Sequence, residues 1–268
     1  RNSGLADYSA CAQYIVATFM ILFGINFNVY FLLIRKHLRQ AMRCEEARWY
    51  LAIIAASVLM LVINTKHMFS TLEETFRHAY FQVSSIITTT GFSTTNFDIF
   101  PEFSRQILLL LMFIGACAGS TGGGIKVSRI VILLKSALNE ISRIGQPRTV
   151  KKVRLEGRVL DHATMRSVNT FLVAYIAIFA ASVLLISLDN HDMVTNFSSV
   201  AATINNIGPG LNVVGPMGNF SQFSDCSKII FCFDMLAGRL ELFPILVLLS
   251  PQSWRRPFRL RRRADSSK

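Results

Sequence analysis

The chain reads IITTTGFS at residues 86–93 and TINNIGPG at residues 203–210, and these two related stretches decide its fold. Their glycines, Gly91 and Gly208, lie 117 positions apart (208 minus 91). Each stretch follows a short apolar run and is flanked by long apolar runs. Irregular backbone at membrane depth is tolerated only where it is buried in protein or lines a watery path. The repeat therefore predicts two re-entrant pore loops.

The composition is typical of an integral membrane protein. Of 268 residues, 51% are hydrophobic and 16% are charged, whereas about a quarter of a soluble domain is charged. The net charge of +12 does not indicate a nucleic-acid partner, because 22 of the 28 Lys and Arg residues fall in clusters at 35–48, 126–166 and 255–268. Such clusters between apolar runs indicate cytosolic segments that meet anionic lipid headgroups.

Five apolar runs are long enough to cross about 30 Å of hydrocarbon; they lie at 12–34, 49–65, 103–135, 167–188 and 220–250. The shorter runs at 79–88 and 193–204 are predicted to be pore helices, because they cannot cross alone. The run at 103–135 contains GACAGSTGGG at 115–124. Each glycine costs up to about 1 kcal/mol in a helix interior, so we expect two half-helices joined by an unwound linker.

The predicted fold class is an all-α integral membrane protein with a K⁺-channel-like architecture of repeated span–pore helix–filter loop–span units. Both glycine loops lie outside and the basic clusters lie inside. The chain divides into a first span with a cytosolic linker, a unit with a broken inner helix, a second cytosolic linker, another unit and a basic cytosolic tail. These parts cover residues 1–48, 49–135, 136–165, 166–250 and 251–268.

Five segments in order resemble the Trk/Ktr/HKT superfamily of potassium transporters, and most closely its TrkH-type membrane subunit. They are FGINFN at 23–28, TTTGFS at 88–93, GACAGSTGGG at 115–124, NNIGPG at 205–210 and AGRLE at 237–241. The family has four units around one pore, whereas this chain resembles the end of the second unit plus the third and fourth. We therefore expect a fragment of a longer protein, or two chains that combine.

The resemblance implies potassium uptake by a multi-pass protein of the bacterial cytoplasmic (inner) membrane that is not an enzyme. It implies K⁺ as the transported ion and no organic cofactor. It also implies a homodimer in membrane lipid, with a TrkA-like nucleotide-binding regulatory subunit on the basic cytosolic face. Sodium permeation, sodium coupling and a non-conducting membrane scaffold are the alternatives.

A dehydrated K⁺ exchanges its water shell for oxygen ligands, and the backbone carbonyls of an extended loop can supply them. Glycine permits backbone angles that a side chain would block. We therefore predict eight filter residues whose carbonyls bind the ion: Thr89, Thr90, Gly91, Phe92, Asn206, Ile207, Gly208 and Pro209. The alternative is a pair of re-entrant turns that only pack.

The glycine-rich linker does not match a nucleotide-binding loop, because Ile125 separates Gly124 from Lys126, and a Walker loop needs Gly-Lys-Ser/Thr in direct succession. The resemblance implies instead a gating loop beneath the filter. Its residues are Gly119, Ser120, Thr121, Gly122, Gly123 and Gly124. The alternative is a passive helix kink.

Arg239 is predicted to be the second part of the gate. An arginine deep in a span costs about 2.5–3.5 kcal/mol on insertion scales, and it normally faces a cavity or a partner. In the resembled family, an arginine at this place projects into the pore below the filter, where its charge limits leak. The alternative is a structural ion pair between helices.

Overall fold

A computed structural model describes residues 4–145 and 152–240, and these residues are mostly helical with almost no strand, as the sequence predicted. The described ranges contain ten α-helices in chain order: α1 (Ala10–Phe23), α2 (Phe27–Ile34), α3 (Leu38–Met42), α4 (Glu45–Thr65), α5 (Leu72–Ile87), α6 (Glu102–Phe113), α7 (Val127–Gly145), α8 (His162–Ile186), α9 (Met193–Ile204) and α10 (Asp225–Arg239). Two short antiparallel strands, β1 (Arg154–Leu155) and β2 (Arg158–Val159), form a hairpin between α7 and α8.

Two of the described helices are long and apolar enough to cross a membrane, namely α4 and α8 with its extension to Asp189. Helices α1 and α2 pass the same test only as a pair that is bent by 92°. The apolar run predicted at 12–34 is thus divided into two helices, and it counts as one span only if the bent pair is taken together. At the bend, a Cβ on Gly24 would lie 2.1 Å from the hydroxyl oxygen of Tyr50 on α4. Asn26 then begins α2 by accepting a hydrogen bond from the Asn28 N–H at 2.9 Å.

Helices α5 and α9 occupy the positions of the two predicted pore helices. α9 covers the predicted range, whereas α5 begins at Leu72, before the predicted start at residue 79. Thr71 caps α5 by accepting the Glu74 N–H at 3.1 Å. The first turns of α5 are polar, and hydropathy alone overlooks a capped helix that begins with charged residues.

The run at 103–135 is broken as predicted, because α6 ends at Phe113 and α7 begins at Val127. α7 continues to Gly145, so its last turns lie within the segment 136–165 that was predicted to be a linker. The β1–β2 hairpin in that segment was not predicted. Its turn uses Glu156 and Gly157 at positive φ angles of 53° and 78°, as a two-residue hairpin turn requires.

The hairpin packs against the start of α4. Lys135 on α7 forms an ion pair with Glu45 and donates to the Arg154 carbonyl at 2.9 Å. The Cys44 thiol donates to Glu156 Oε1 at 3.1 Å. These contacts join α4, α7 and the hairpin at the end of the molecule that carries the basic clusters.

The buried side chains form one large cluster around α4, α5 and α6, with members such as Tyr50 and Leu108, and smaller clusters among α8, α9 and α10, with members such as Ile186 and Phe231. Because lipid tails are as apolar as these side chains, close packing and interhelical hydrogen bonds hold such helices together in a bilayer. This packing encloses α9 and fixes the loop that follows it.

The final run at 220–250 is described only to residue 240, and α10 ends at Arg239. Glu241 and the basic tail 251–268 lie outside the described residues. The division of the chain into five parts stays a prediction.

Candidate functional site

The two glycine loops have the same backbone form, 117 positions apart. α5 ends at Ile87 and α9 ends at Ile204, and the second residue after each helix has a positive φ: 54° at Thr89 and 56° at Asn206. Gly91 and Gly208 follow, with φ of 79° and 112°. A non-glycine residue in the left-handed region is uncommon, so its recurrence at matched positions shows a repeated turn.

The hydrogen bonds that form this turn are also repeated. The Thr90 N–H donates to the Ser85 carbonyl at 2.9 Å, and the Ile207 N–H donates to the Ala202 carbonyl at 2.8 Å. Each bond folds the loop back onto the last turn of its own helix. The carboxyl end of a helix carries a partial negative charge, so both loops begin where a cation is electrostatically favoured.

The loops lie side by side. A Cβ on Gly91 would lie 1.9 Å from the Ile207 carbonyl oxygen and 3.2 Å from Pro209 Cδ. The fold therefore brings Gly91 and the loop of Gly208 together from positions more than a hundred residues apart, which is the arrangement that a shared ion path requires. Only glycine fits at residue 91, because both its φ and its close neighbour exclude a side chain.

Seven of the eight predicted ligand carbonyls accept no hydrogen bond from the residues that the structure describes. They belong to Thr89, Thr90, Gly91, Asn206, Ile207, Gly208 and Pro209. The eighth differs, because the Phe92 carbonyl accepts the Ser85 hydroxyl at 2.5 Å and its ring is exposed. The Phe92 carbonyl is thus held toward the pore helix.

The side chains of the two loops form hydrogen bonds with different elements. Thr89 Oγ1 accepts the Gly123 N–H at 2.8 Å, so the first loop rests on the glycine-rich linker. Asn206 Nδ2 donates to the Met235 carbonyl at 3.0 Å, so the second loop rests on α10. Thr89 and Asn206, the two non-glycine residues with positive φ, therefore also anchor their loops through their side chains.

The glycine-rich linker, residues 114–126, is a closed structure and not an extended coil. Gly115 N–H donates to the Ile125 carbonyl at 2.5 Å, and Val127 N–H donates to the Ala116 carbonyl at 3.2 Å. A parallel bridge pairs Ile114 with Ile125. These bonds close the linker at its base, where residues 114–116 meet residues 125–127. Its tip, around Gly122 and Gly123, is left to reach the glycine loops.

The tip lies directly against the ends of both pore helices. A Cβ on Gly123 would lie 2.7 Å from the Asn205 carbonyl oxygen, and one on Gly122 would lie 3.5 Å from the Thr88 carbonyl oxygen. Gly119 and Gly124 adopt positive φ angles of 69° and 68°. Small residues here permit backbone-to-backbone contact, so Gly122 and Gly123 of the predicted gating loop lie against the carboxyl ends of α5 and α9.

The hydroxyl groups of the linker bind main-chain carbonyls. Ser120 Oγ donates to the Cys117 carbonyl at 2.6 Å, and Thr121 Oγ1 donates to the Phe23 carbonyl at 3.4 Å. Lys126 is buried, and its ammonium donates to the Gly122 carbonyl at 2.7 Å. In lipid every backbone polar group needs a partner, and these side chains supply several.

Arg239 contacts the linker. Its Nη1 donates to the Thr121 carbonyl at 3.0 Å. Within residues 4–145 and 152–240, no carboxylate pairs with this guanidinium. The arrangement places a cation on α10 in contact with the glycine-rich linker, which itself contacts the two glycine loops.

Glu46 is a site residue that sequence reasoning missed. It lies in the first turn of α4, is 3% exposed, and its Oε1 accepts the Ala118 N–H at 2.6 Å and the Ser128 N–H at 3.1 Å. One carboxylate oxygen thus binds the linker and the amino end of α7, where the helix dipole favours an anion. In the sequence, Glu46 stands among the arginines of 35–48 and gives no separate signal.

A hydrogen-bond network joins the segments that follow the two glycine loops. Asp98 accepts the Asn212 N–H at 2.9 Å, and Arg105 Nη2 donates to Asn212 Oδ1 at 2.7 Å. Burial raises the pKa of Asp98, and the Asn212 N–H and the Arg105 charge offset only part of this effect. No group of three or more His, Cys, Asp or Glu residues that could hold a metal ion is found among the described residues.

Comparison with known proteins gives consistent results. The family profile TrkH, described as a cation transport protein, matches residues 3–256. The chain is 38% identical over 244 residues to the Trk system potassium uptake protein TrkH of Escherichia coli (strain K12), which covers 90% of this chain and 50% of that protein. It is 32% identical to the Trk system potassium uptake protein TrkG of the same strain, over 91% of this chain and 50% of TrkG.

A solved structure is also similar. The crystal structure of the potassium transporter TrkH from Vibrio parahaemolyticus matches with a TM-score of 0.87 and 34% sequence identity, covering 94% of this chain and 55% of that chain. The chain therefore spans about half the length of the relatives that it matches.

Proposed function

Because the chain belongs to the TrkH family of cation transport proteins, we propose that it forms the C-terminal half of a potassium uptake pore in a bacterial cytoplasmic membrane. The observation that carries this proposal is the pair of adjoining glycine loops, in which seven of the eight predicted ligand carbonyls accept no hydrogen bond from the described residues. Carbonyl oxygens in such a position can replace the water shell of K⁺ without a full negative charge in its path.

The proposed ligands are the seven free carbonyls, from Thr89 to Gly91 and from Asn206 to Pro209. The Phe92 carbonyl serves as a brace, because Ser85 occupies it. The carboxyl ends of α5 and α9 point at the same region and add a favourable potential.

The test is a pair of serine substitutions with different predicted severity. Gly91→Ser forces a side chain into the Ile207 carbonyl, whereas Gly208→Ser meets no atom within 4 Å and adds only backbone strain. With the N-terminal repeats supplied, both variants are expected to lower the K⁺/Na⁺ selectivity of uptake into liposomes, Gly91→Ser more than Gly208→Ser. Unchanged selectivity in both variants would refute the filter assignment.

We further propose that the linker and Arg239 form the gate. The linker lies beneath both loops, and Arg239 holds its Thr121 carbonyl. A positive charge below the filter repels K⁺. Arg239→Ala is expected to raise K⁺ leak, while Lys228→Ala, which removes an exposed cation from the same helix, is expected to leave leak unchanged. Equal K⁺ leak in both variants and in the wild type would refute the gating role of Arg239.

The remaining parts of the proposal concern partners and selectivity. We propose a homodimer in membrane lipid. We also propose that a nucleotide-binding regulatory subunit docks on the basic cytosolic face, because net positive charge gathers there. Sodium permeation is the alternative within the same family, and a flux assay with Na⁺ as the sole cation separates it from K⁺ uptake. A scaffold role is supported if the reassembled pore passes neither ion.

A further inference from the structure

Asp234 is a carboxylic acid in the interior of the helix packing. It lies on the buried face of α10, with Phe231 one turn before it and Ala237 one turn after it, and it is 0% exposed. The Ser182 hydroxyl on α8 donates to Asp234 Oδ1 at 2.7 Å. Asp234 Oδ2 is buried and has no hydrogen-bond partner among the described residues.

Within residues 4–145 and 152–240, no cation forms an ion pair with Asp234. α10 packs against α8 and α9. On α8, Tyr175 is a titratable group on which the charge of Asp234 acts, and its hydroxyl donates to Asn205 Oδ1 at 3.0 Å. The sequence of α9 contains no titratable residue, and the other buried residues of α10 are Ser227, Phe231 and Ala237. Asp234 thus lies in an apolar seam with one hydroxyl as its partner.

An ionised carboxylate in this seam would have one hydrogen bond and no cation. Charges in the interior of a membrane protein are costly, and they pair or mark a functional path. A carboxyl group that carries a proton avoids most of this cost, because a neutral oxygen left without a partner is far less expensive than a charged one.

From the burial, the single hydroxyl partner and the free oxygen, we propose that Asp234 is a proton-binding site of this chain. The proton binds to the Asp234 carboxylate from water and returns to water when the O–H bond breaks, so the charge of the seam changes by one unit. The site is distinct from the filter and from the linker.

The position of Asp234 links this proton to the second filter loop; this step rests on the proposed function. The next residue, Met235, holds the Asn206 side chain through its carbonyl. One turn further, a Cβ on Gly238 would lie 1.7 Å from the Ile204 carbonyl oxygen, so α10 and the end of α9 are in direct backbone contact. Loss of the proton charges the seam and favours separation of α10 from α8, which moves the support of Asn206.

The occupancy test is isotope-edited infrared spectroscopy of the chain in lipid, with ¹³C-labelled aspartate, as the pH is raised across the range in which the protein stays folded. We expect a protonated-carboxyl C=O band that declines with pH and is missing in Asp234→Asn. Ser182→Ala should shift the frequency of the band, because the hydrogen bond is lost, and Asp225→Asn, an exposed acid on the same helix, should leave it unchanged.

Absence of this band at every pH would overturn the proposal. A band that persists unchanged in Asp234→Asn would also overturn it, since the proton would then lie on another aspartate. For the link to the filter, K⁺ flux with the N-terminal repeats supplied should depend on pH in the wild type and not in Asp234→Asn. Equal pH profiles would refute the link, while the band, which needs no transport, tests the proton site independently of the proposed function.

Discussion

Replacement of Glu46 by alanine is expected to release the glycine-rich linker from the body of the protein. The Glu46 carboxylate binds the Ala118 and Ser128 N–H groups through one oxygen, and it thereby joins α4 both to the linker and to the first turn of α7. The perturbation removes both bonds at once and leaves two amides near the amino end of α7 without their acceptor.

The magnitude follows from the type of bond. A hydrogen bond to a charged group contributes about 1.5–3 kcal/mol, so two such bonds contribute about 3–6 kcal/mol to keeping the linker closed. Every 1.4 kcal/mol corresponds to a factor of ten, and amide exchange through local opening is therefore expected to accelerate by about 10²–10⁴. Glu46→Gln keeps the acceptor oxygen and loses the charge, so we expect about half this loss of free energy.

The assay is hydrogen–deuterium exchange measured by mass spectrometry on peptides that cover residues 115–128. Glu73→Ala is the matched control, because Glu73 is an exposed partner of Arg77 and such pairs contribute about 0–1 kcal/mol. If exchange over 115–128 in Glu46→Ala equals that of the wild type and of Glu73→Ala, the anchoring role of Glu46 is refuted.

Two other predictions concern packing and thiol chemistry. Gly238→Ala places a Cβ 1.7 Å from the Ile204 carbonyl oxygen, and because overpacking of this kind costs about 1–3 kcal/mol, the melting temperature of this variant should fall. Gly145→Ala is the control, because a Cβ on Gly145 meets no atom within 4 Å, and it should melt like the wild type. Equal melting temperatures for the two variants would contradict the close contact between Gly238 and Ile204. Burial, reinforced by the hydrogen bond to Glu156, raises the pKa of the Cys44 thiol to about 11. Since the thiolate is the nucleophile, the rate of Cys44 alkylation, measured by peptide mapping, should be low at neutral pH and should increase about tenfold per pH unit up to that pKa. The rate should be higher in Glu156→Gln. Exposed Cys226 serves as the internal reference, and equal rates at Cys44 with and without the Glu156 carboxylate would show that the hairpin does not dock on α4.

The repeat made the short helices α5 and α9 and the loops that follow them predictable, because a short apolar run followed by glycine has few solutions in a membrane. The bounds of α9 were obtained correctly for this reason. The break between α6 and α7 was equally accessible, since the glycines of 115–124 are incompatible with a continuous helix. In each case the signal is local, and the residues that produce it lie next to one another.

The features that the sequence did not predict depend on distant contacts. The 92° bend between α1 and α2 places Gly24 against Tyr50, and an apolar run without that partner is indistinguishable from a straight span. Glu46 acts on Ala118, 72 residues away. The hairpin strands have two residues each, which is too short for any period to be read. The Phe92 carbonyl was assigned by adjacency, whereas its direction is set by the Ser85 hydroxyl.

The unequal supports of the two filter loops have a mechanical consequence. Thr89 is tethered to the glycine-rich linker, and Asn206 is tethered to the helix α10. On the proposed function, a displacement of the linker that breaks the Gly123–Thr89 bond would loosen one wall of the ion path, while the opposite wall would keep its attachment to α10. Opening and ion discrimination would then not be separable motions, because the moving part would also be the scaffold of one coordinating wall, and the path would deform asymmetrically.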